Sequence, residues 1–221
     1  MGTITHAMPT RKAQKELRAR HRPRSIAIVG NAPDMGDQAG RIDAADWVVR
    51  FNNASGFGGR AGGRVTHLAL VNHGGQMREW LTDPGFLDRP FVSGAQTFVF
   101  PFARKAEPVE HQGEDGRDWT DEAETLLRPV GAPVEILPPS VRREAAALLG
   151  RAPATNPVPS TGFLVALHLV RRFGGTATID VHGFGFEGWE GHAWARERQW
   201  FEAMTAGGFL RVHPLDRAFA A

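Results

Sequence analysis

Ser25-Ile-Ala-Ile-Val29 is an apolar run of strand length with no polar alternation, and it stops at Gly30. A strand with one wet face alternates apolar and polar residues, so an unbroken run describes a strand buried on both faces, as in parallel sheets covered by helices. Trp47-Val-Val-Arg-Phe51 and Val65-Thr-His-Leu-Ala-Leu-Val71 follow between Gly, Asn and Asp punctuation. Thr97–Phe100, Val134–Leu137 (stopped by Pro138-Pro139) and Ala177–Val181 extend the series. Helical segments fall between the later runs: 141–150, ended by Gly150; Gly162–Phe173, opened by Ser160-Thr161; and about 193–206. Strands alternating with helices give the α/β class: a single Rossmann-like domain with a mostly parallel sheet and helices on both faces.

A chain of 221 residues suffices for one good core. The reading assigns 25–221 to that domain and 1–24 to a basic arm carrying Arg11, Lys12, Lys15, Arg18, Arg20, Arg22 and Arg24. Such a charge run is ordinarily a solvated, partly disordered arm. The sharper alternative is peripheral contact with an anionic membrane, at about 1 kcal/mol per basic residue. No aromatic residue interleaves the charges, so no nucleic acid partner is expected. Net charge is only +2. With no cysteine, disulfides, thiolate nucleophiles and Cys-ligated metals are excluded. No apolar stretch approaches the ~20 residues of a membrane span, and the N-terminus lacks the apolar core of a secretory signal. The expected location is cytoplasmic, with the arm allowing a position at the inner membrane. Segment 104–121, rich in charge, Gly and Pro, reads as a surface loop and candidate lid, and 153–159 as a Pro-rich connector.

Ligands of such sheets bind beyond the carboxyl ends of the strands. Three loops lie there. Gly30-Asn31-Ala32-Pro33 offers a backbone open to close approach and an amide that donates and accepts, though an ordinary tight turn has the same composition. Arg50-Phe51-Asn52-Asn53 offers a cation and two amides; its plainer reading is loop capping, with Arg50 paired to Asp43 or Asp46. Pro159-Ser160-Thr161-Gly162 opens a helix, whose free N–H groups and positive dipole end suit a phosphate or carboxylate, although a plain N-cap is the commoner use.

Gly183-Phe-Gly185-Phe-Glu-Gly188 has the spacing of a dinucleotide fingerprint. Only 33 residues follow it, too few for the rest of that nucleotide-binding half, so a nicotinamide-dependent oxidoreductase ranks last. His192, near the start of the last helix, is a general-base candidate, since imidazole titrates near neutral pH. Glu197 stands five positions on, a spacing that does not share a helix face; the two meet only if His192 precedes the helix. A scattered, non-functional histidine is the plainer alternative. No cluster supplies three metal ligands, so no metal is expected.

In order along the chain, these loops resemble glycosyltransferase family 29, the animal-type sialyltransferases. Ser25–Ser55, with its apolar strand, Gly-Asn, Ile-Asp and Arg-x-Asn, is similar to the family's large motif. Pro159-STGFLVALHL-Leu169 with Asp180-VHGFGF-Phe186 is similar to the small motif, His182 standing at its Tyr. His192 and Glu197 match the very small motif, His-x4-Glu. The resemblance spans about 100 residues and implies a short, bacterial-type, metal-independent inverting transferase that needs no cofactor beyond its donor, a cytidine monophosphate (CMP) conjugate of sialic acid or Kdo. It implies donor contacts from Asn31 and Asn52, with Gly30, Ala32, Arg50, Gly183 and Phe184 completing the set. Ser160, Thr161 and Gly162 would hold the phosphate or sugar carboxylate. His192 would take the proton from a glycan or glycolipid hydroxyl, with Glu197 supporting it. The chain departs from the family in three respects. Its Ile26 and Val170 stand near the positions of the animal disulfide. The third motif is reduced to Gly188-Trp-Glu-Gly191, and the chain is short, without a membrane anchor. A non-catalytic nucleotide-binding protein on the same fold is the alternative from a different class.

Overall fold

The computed structural model describes residues 22–113, 116–150 and 158–216. Most of the basic arm and most of the 153–159 connector therefore lie outside the described residues. Seven strands form one sheet: β1 (Ser25–Val29), β2 (Trp47–Phe51), β3 (His67–Ala69), β4 (Thr97–Phe100), β5 (Val134–Ile136), β6 (Thr178–His182) and β7 (Arg211–Val212). Every pairing is parallel, in the order β5-β4-β3-β2-β1-β6-β7. The sheet is thus wholly, not mostly, parallel. β3 is shorter than the 65–71 run, but Thr66 and Leu70 still donate N–H bonds to Val48 and Val99 beyond its ends. β7, two residues long, is too brief for any periodicity to announce.

Successive side chains of a strand point to opposite faces, and the core divides accordingly. Ile26, Ile28, Val49, Phe51, Ile179 and Val181 pack on one face with helices α5 (Pro139–Leu149), α6 (Thr161–Phe173) and α7 (Trp194–Ala206). On the other face Ala27, Val29 and Val48 pack with α1 (Ala39–Asp43), and Leu68, Phe98 and Phe100 with α2 (Gly75–Thr82), α3 (Pro90–Ser93) and α4 (Thr120–Leu127). The three long helices follow the sequence reading. The four short ones do not, because four to eight residues carry too few turns to display an apolar stripe. Ile26 and Val170, near the positions of the animal disulfide, are buried in the same apolar cluster.

Among its described residues the segment read as a lid is mostly loop, with a 3-10 turn at Val109–His111, and α4 begins inside its end. Its termini are tied down: the Asp118 carboxylate accepts the Lys105 N–H at 2.8 Å, and Arg117 O accepts the Gly74 N–H at 2.8 Å. Among the described residues no helix is long and apolar enough to cross a membrane.

From β1 the chain builds the sheet outward through β2 to β5, then crosses back to lay β6 on the other side of β1. Loops leaving β1 and β6 therefore diverge, and a crevice opens at their carboxyl ends, the usual ligand position in such sheets.

Candidate functional site

Glycine makes that crevice possible. The Gly30 N–H bonds His182 O at 2.8 Å, and the Ala32 N–H bonds Gly183 O at 3.0 Å, stitching the two loops at their roots. A Cβ on Gly30 would collide with the Gly183 carbonyl, and one on Gly162 would sit 3.0 Å from the Phe184 ring. Gly183 itself has φ +65°, in the left-handed region that glycine adopts freely. The Phe184 ring fills the space these glycines leave. Above it lies a cavity of about 390 Å3, reached by Asn31, Asn52, Thr161, Phe184, Trp189 and His192.

At the N-terminus of α6, Ser160 is fully engaged. Its hydroxyl accepts the Phe163 N–H at 3.1 Å and donates to Glu197 at 2.6 Å, while its own N–H donates to Glu197 at 2.8 Å. The plain N-cap reading thus describes the Ser160 side chain. Thr161 and Gly162 supply the first two N–H groups of the helix, which have no intrahelical acceptor, and both residues line the cavity. What this end of the helix presents to the cavity is therefore backbone N–H and the positive dipole end, not the serine hydroxyl.

His192 precedes α7, whose first residue is Trp194. Its Nδ1 lies 2.6 Å from the Val158 carbonyl. A carbonyl only accepts, so the proton belongs on Nδ1 and the neutral ring keeps Nε2 as a base. Trp189 and Trp194 meet the imidazole edge-on at 4.9 and 4.8 Å. His192 also borders a second cavity of about 710 Å3, which shares Asn52, Thr161 and Trp189 with the first. Glu197 is 1% exposed and lines neither cavity. Burial pushes its carboxyl pKa up, opposed by the Ser160 bonds and by His192. Glu197, expected beside the base, thus faces Ser160 and not the cavities: His192 and Glu197 grip the two ends of segment 158–160.

Arg50 requires a larger correction. It is 1% exposed and points from β2 to the face opposite Phe51, away from the cavity. Its Nε donates to Arg64 O at 2.8 Å and its Nη2 to Ala61 O and Gly62 O at 2.6 and 2.9 Å, with Phe57 5.0 Å from the guanidinium. Burial lowers its pKa to about 10, against the attraction of Asp43. The paired acid anticipated for it bonds elsewhere: Asp43 accepts the Gly63 and Arg64 N–H groups, and Asp46 those of Arg24 and Ser25. Arg50 organises the Gly-rich loop and does not line the cavity.

No family model matches the chain. The urease operon 23 kDa accessory protein of Rhizobium meliloti (strain 1021) is 30% identical over 203 residues, which cover 86% of this chain and 94% of that protein. The chain belongs to that protein's family. Among solved structures, the apo alpha-2,3-sialyltransferase from Campylobacter jejuni matches with a TM-score of 0.53 at 12% identity, over 90% of this chain and 77% of that one. At that identity the likeness shows a shared sialyltransferase-like α/β fold.

In this member of the accessory-protein family, the structure gathers Gly30, Asn31, Ala32, Asn52, Ser160, Thr161, Gly162, Gly183, Phe184 and His192 around one cavity, though they span most of the chain. Two of them are also struts. Asn31 Oδ1 accepts the Ser55 N–H at 2.9 Å and its Nδ2 donates to Phe51 O at 3.3 Å; Asn52 Oδ1 accepts the Val71 N–H at 3.1 Å. Sequence reasoning missed Phe51, Phe186 and above all Trp189, 62% exposed at the lip of both cavities. A tryptophan between glycines, outside any apolar run, was the available signal. Among the described residues no group of three or more metal-ligating side chains occurs.

Proposed function

We propose that this chain is an inverting transferase that moves an acidic keto-sugar, sialic acid or Kdo, from its CMP conjugate to a hydroxyl of a glycan or glycolipid. The observation that carries the reading is His192, its Nδ1 held by the Val158 carbonyl, at the junction of two cavities. In the proposed step Nε2 takes the proton of the acceptor hydroxyl as its oxygen bonds the anomeric carbon, and the bond from that carbon to the CMP phosphate oxygen breaks. CMP leaves with the electron pair, its charge met by the Thr161 and Gly162 N–H groups. The step as written uses no metal and no cofactor besides the donor. The order of motifs shared with glycosyltransferase family 29 supports it, as does the sialyltransferase-like fold. A cytoplasmic enzyme whose basic arm touches the anionic inner membrane completes the proposal.

The likeness to the Rhizobium urease operon accessory protein favours a second reading, a non-catalytic nucleotide-binding protein on the same fold. Titration of the full chain with CMP comes first: failure to bind would sink both. A screen with CMP-sialic acid and CMP-Kdo, read as CMP release with and without candidate glycans, then separates them. Release that His192→Ala abolishes while donor still binds establishes the transferase; donor binding without release from either conjugate leaves the binding protein.

A further inference from the structure

The second cavity, about 710 Å3, has an electrostatic character unlike the first. Its charged side chains come from Lys105 and Arg142, with His73 between neutral residues, and no Asp or Glu lines it among the described residues. Several surface arginines are matched with acids: Arg104 with Asp121 and Glu124, Arg117 with Glu122, Arg171 with Glu144 and Arg211 with Asp180. Lys105 and Arg142 have no carboxylate partner among the described residues, and the Arg142 guanidinium lies 5.5 Å from the Phe102 ring centroid. On the other side of that ring's neighbourhood, His73 stacks on Phe102 at 5.0 Å. Its buried Nε2 makes no hydrogen bond and lies 3.3 Å from Asp118, whose oxygens are taken by Thr120 and by the Lys105 N–H. Burial depresses the His73 pKa; Asp118 opposes that, and Lys105 and Arg142 add to it, so both cations are felt at the cavity floor. Gly74 caps α2 without a side chain, and the helix's first N–H groups, from Gly75 and Gln76, open at the same wall.

We infer that this cavity is the acceptor site and that the acceptor is an anionic carbohydrate, its phosphate or carboxylate held by Lys105, Arg142 and the α2 N-terminus while its hydroxyl reaches His192. The inference rests on the transferase reading for the word acceptor. Neutral glycans are gripped largely by carboxylates and amides that bond their hydroxyls; here two unpaired cations stand instead, with Trp189 offering an apolar plane to the sugar ring. In the transferase reading the leaving phosphate is met by the Thr161 and Gly162 N–H groups; Gly162 shares no cavity with Lys105 and Arg142, so the second set of positive groups is not required by CMP.

Isothermal titration of the full chain with glucose, glucuronate and glucose 6-phosphate, alone and with saturating CMP, tests this. At least ten-fold tighter binding of one or both anionic sugars than of glucose is expected, undisturbed by CMP, and the two anions distinguish carboxylate from phosphate. The double variant Lys105→Ala/Arg142→Ala, both on the cavity rim, is expected to lose at least ten-fold in that affinity while its CMP affinity stays within two-fold. Equal affinity for glucose, no binding of any of the three, an unaffected double variant, or displacement by CMP each overturns the inference. If the anionic sugars discriminate but CMP does not bind, the cavity is an anion site and the transferase reading fails; if CMP binds and the sugars do not discriminate, only the inference fails.

Discussion

The loops that follow β1 and β2 look alike in sequence, each a strand end running into Gly and Asn, yet they do opposite work. The loop at 30–33 leaves the sheet where strand order reverses, so no neighbouring crossover covers it and its backbone meets a cavity. In the second loop Asn52 still lines the cavity, but 53–63 folds back over its own strand, its carbonyls spent on the buried Arg50 guanidinium and its N–H groups partly on Asp43. Richness in glycine served close approach in one and a tight wrap around a cation in the other. Position in the sheet, not composition, separates a binding loop from a structural one.

The largest effect that would sharpen this contrast is at the first loop's cavity. His192→Ala is expected to lower kcat by about 10²–10⁴-fold, the usual worth of a general base, with CMP affinity within two-fold; a comparable loss of CMP binding would make His192 a donor contact instead. Arg50→Ala is expected to cost about 2–4 kcal/mol in urea unfolding, because three buried carbonyls lose their donor, while the folded fraction binds CMP normally. A selective loss of CMP binding at unchanged stability would erase the distinction between the loops.

His182 joins the regions, its carbonyl holding the Gly30 N–H and its ring lying on the α1 face, stacked on His213 at 4.3 Å. Burial first, then His213, lowers its pKa to about 4. Unfolded, it would titrate near 6.5, so between these values the unfolded chain binds more protons. Stability is therefore complete above about pH 6.5 and falls as pH drops toward about 4, by on the order of 3 kcal/mol from this residue. His182→Gln should flatten that limb of a pH-stability curve; an unchanged slope would assign it to other groups. Gly30→Ala should weaken CMP binding by about ten-fold through its clash with Gly183, whereas Gly58→Ala, in the second loop, has open space around its Cβ. Although Gly58 at φ +81° carries some strain, its CMP affinity should not move. Ser160→Ala removes the helix cap and the bond to buried Glu197 together, a loss of about 2–3 kcal/mol measurable by thermal unfolding.

Much of this was legible in the chain. The unbroken apolar run at 25–29 dictated a doubly covered strand, and Ser160 announced the start of α6 because capping is a local affair of four residues. The loops that line the cavity were legible as a group only through their order. Arg50 misled because a cation at a strand end reads the same whether it faces a ligand or a ring of carbonyls. Glu197 was grouped with His192 by the resemblance to the His-x4-Glu motif, but its direction depends on where Ser160 lies, 37 residues away in sequence.

What the sequence determined by itself, then, was the class of fold and the places where strands yield to loops, since periodicity and capping act over a few residues. Only the tertiary structure decided which loops share a cavity. Strand order fixed that: placing β6 beside β1 opened the crevice, and it carried the 158–160 segment and His192 to its rim, while the pleat turned Arg50 to the opposite face.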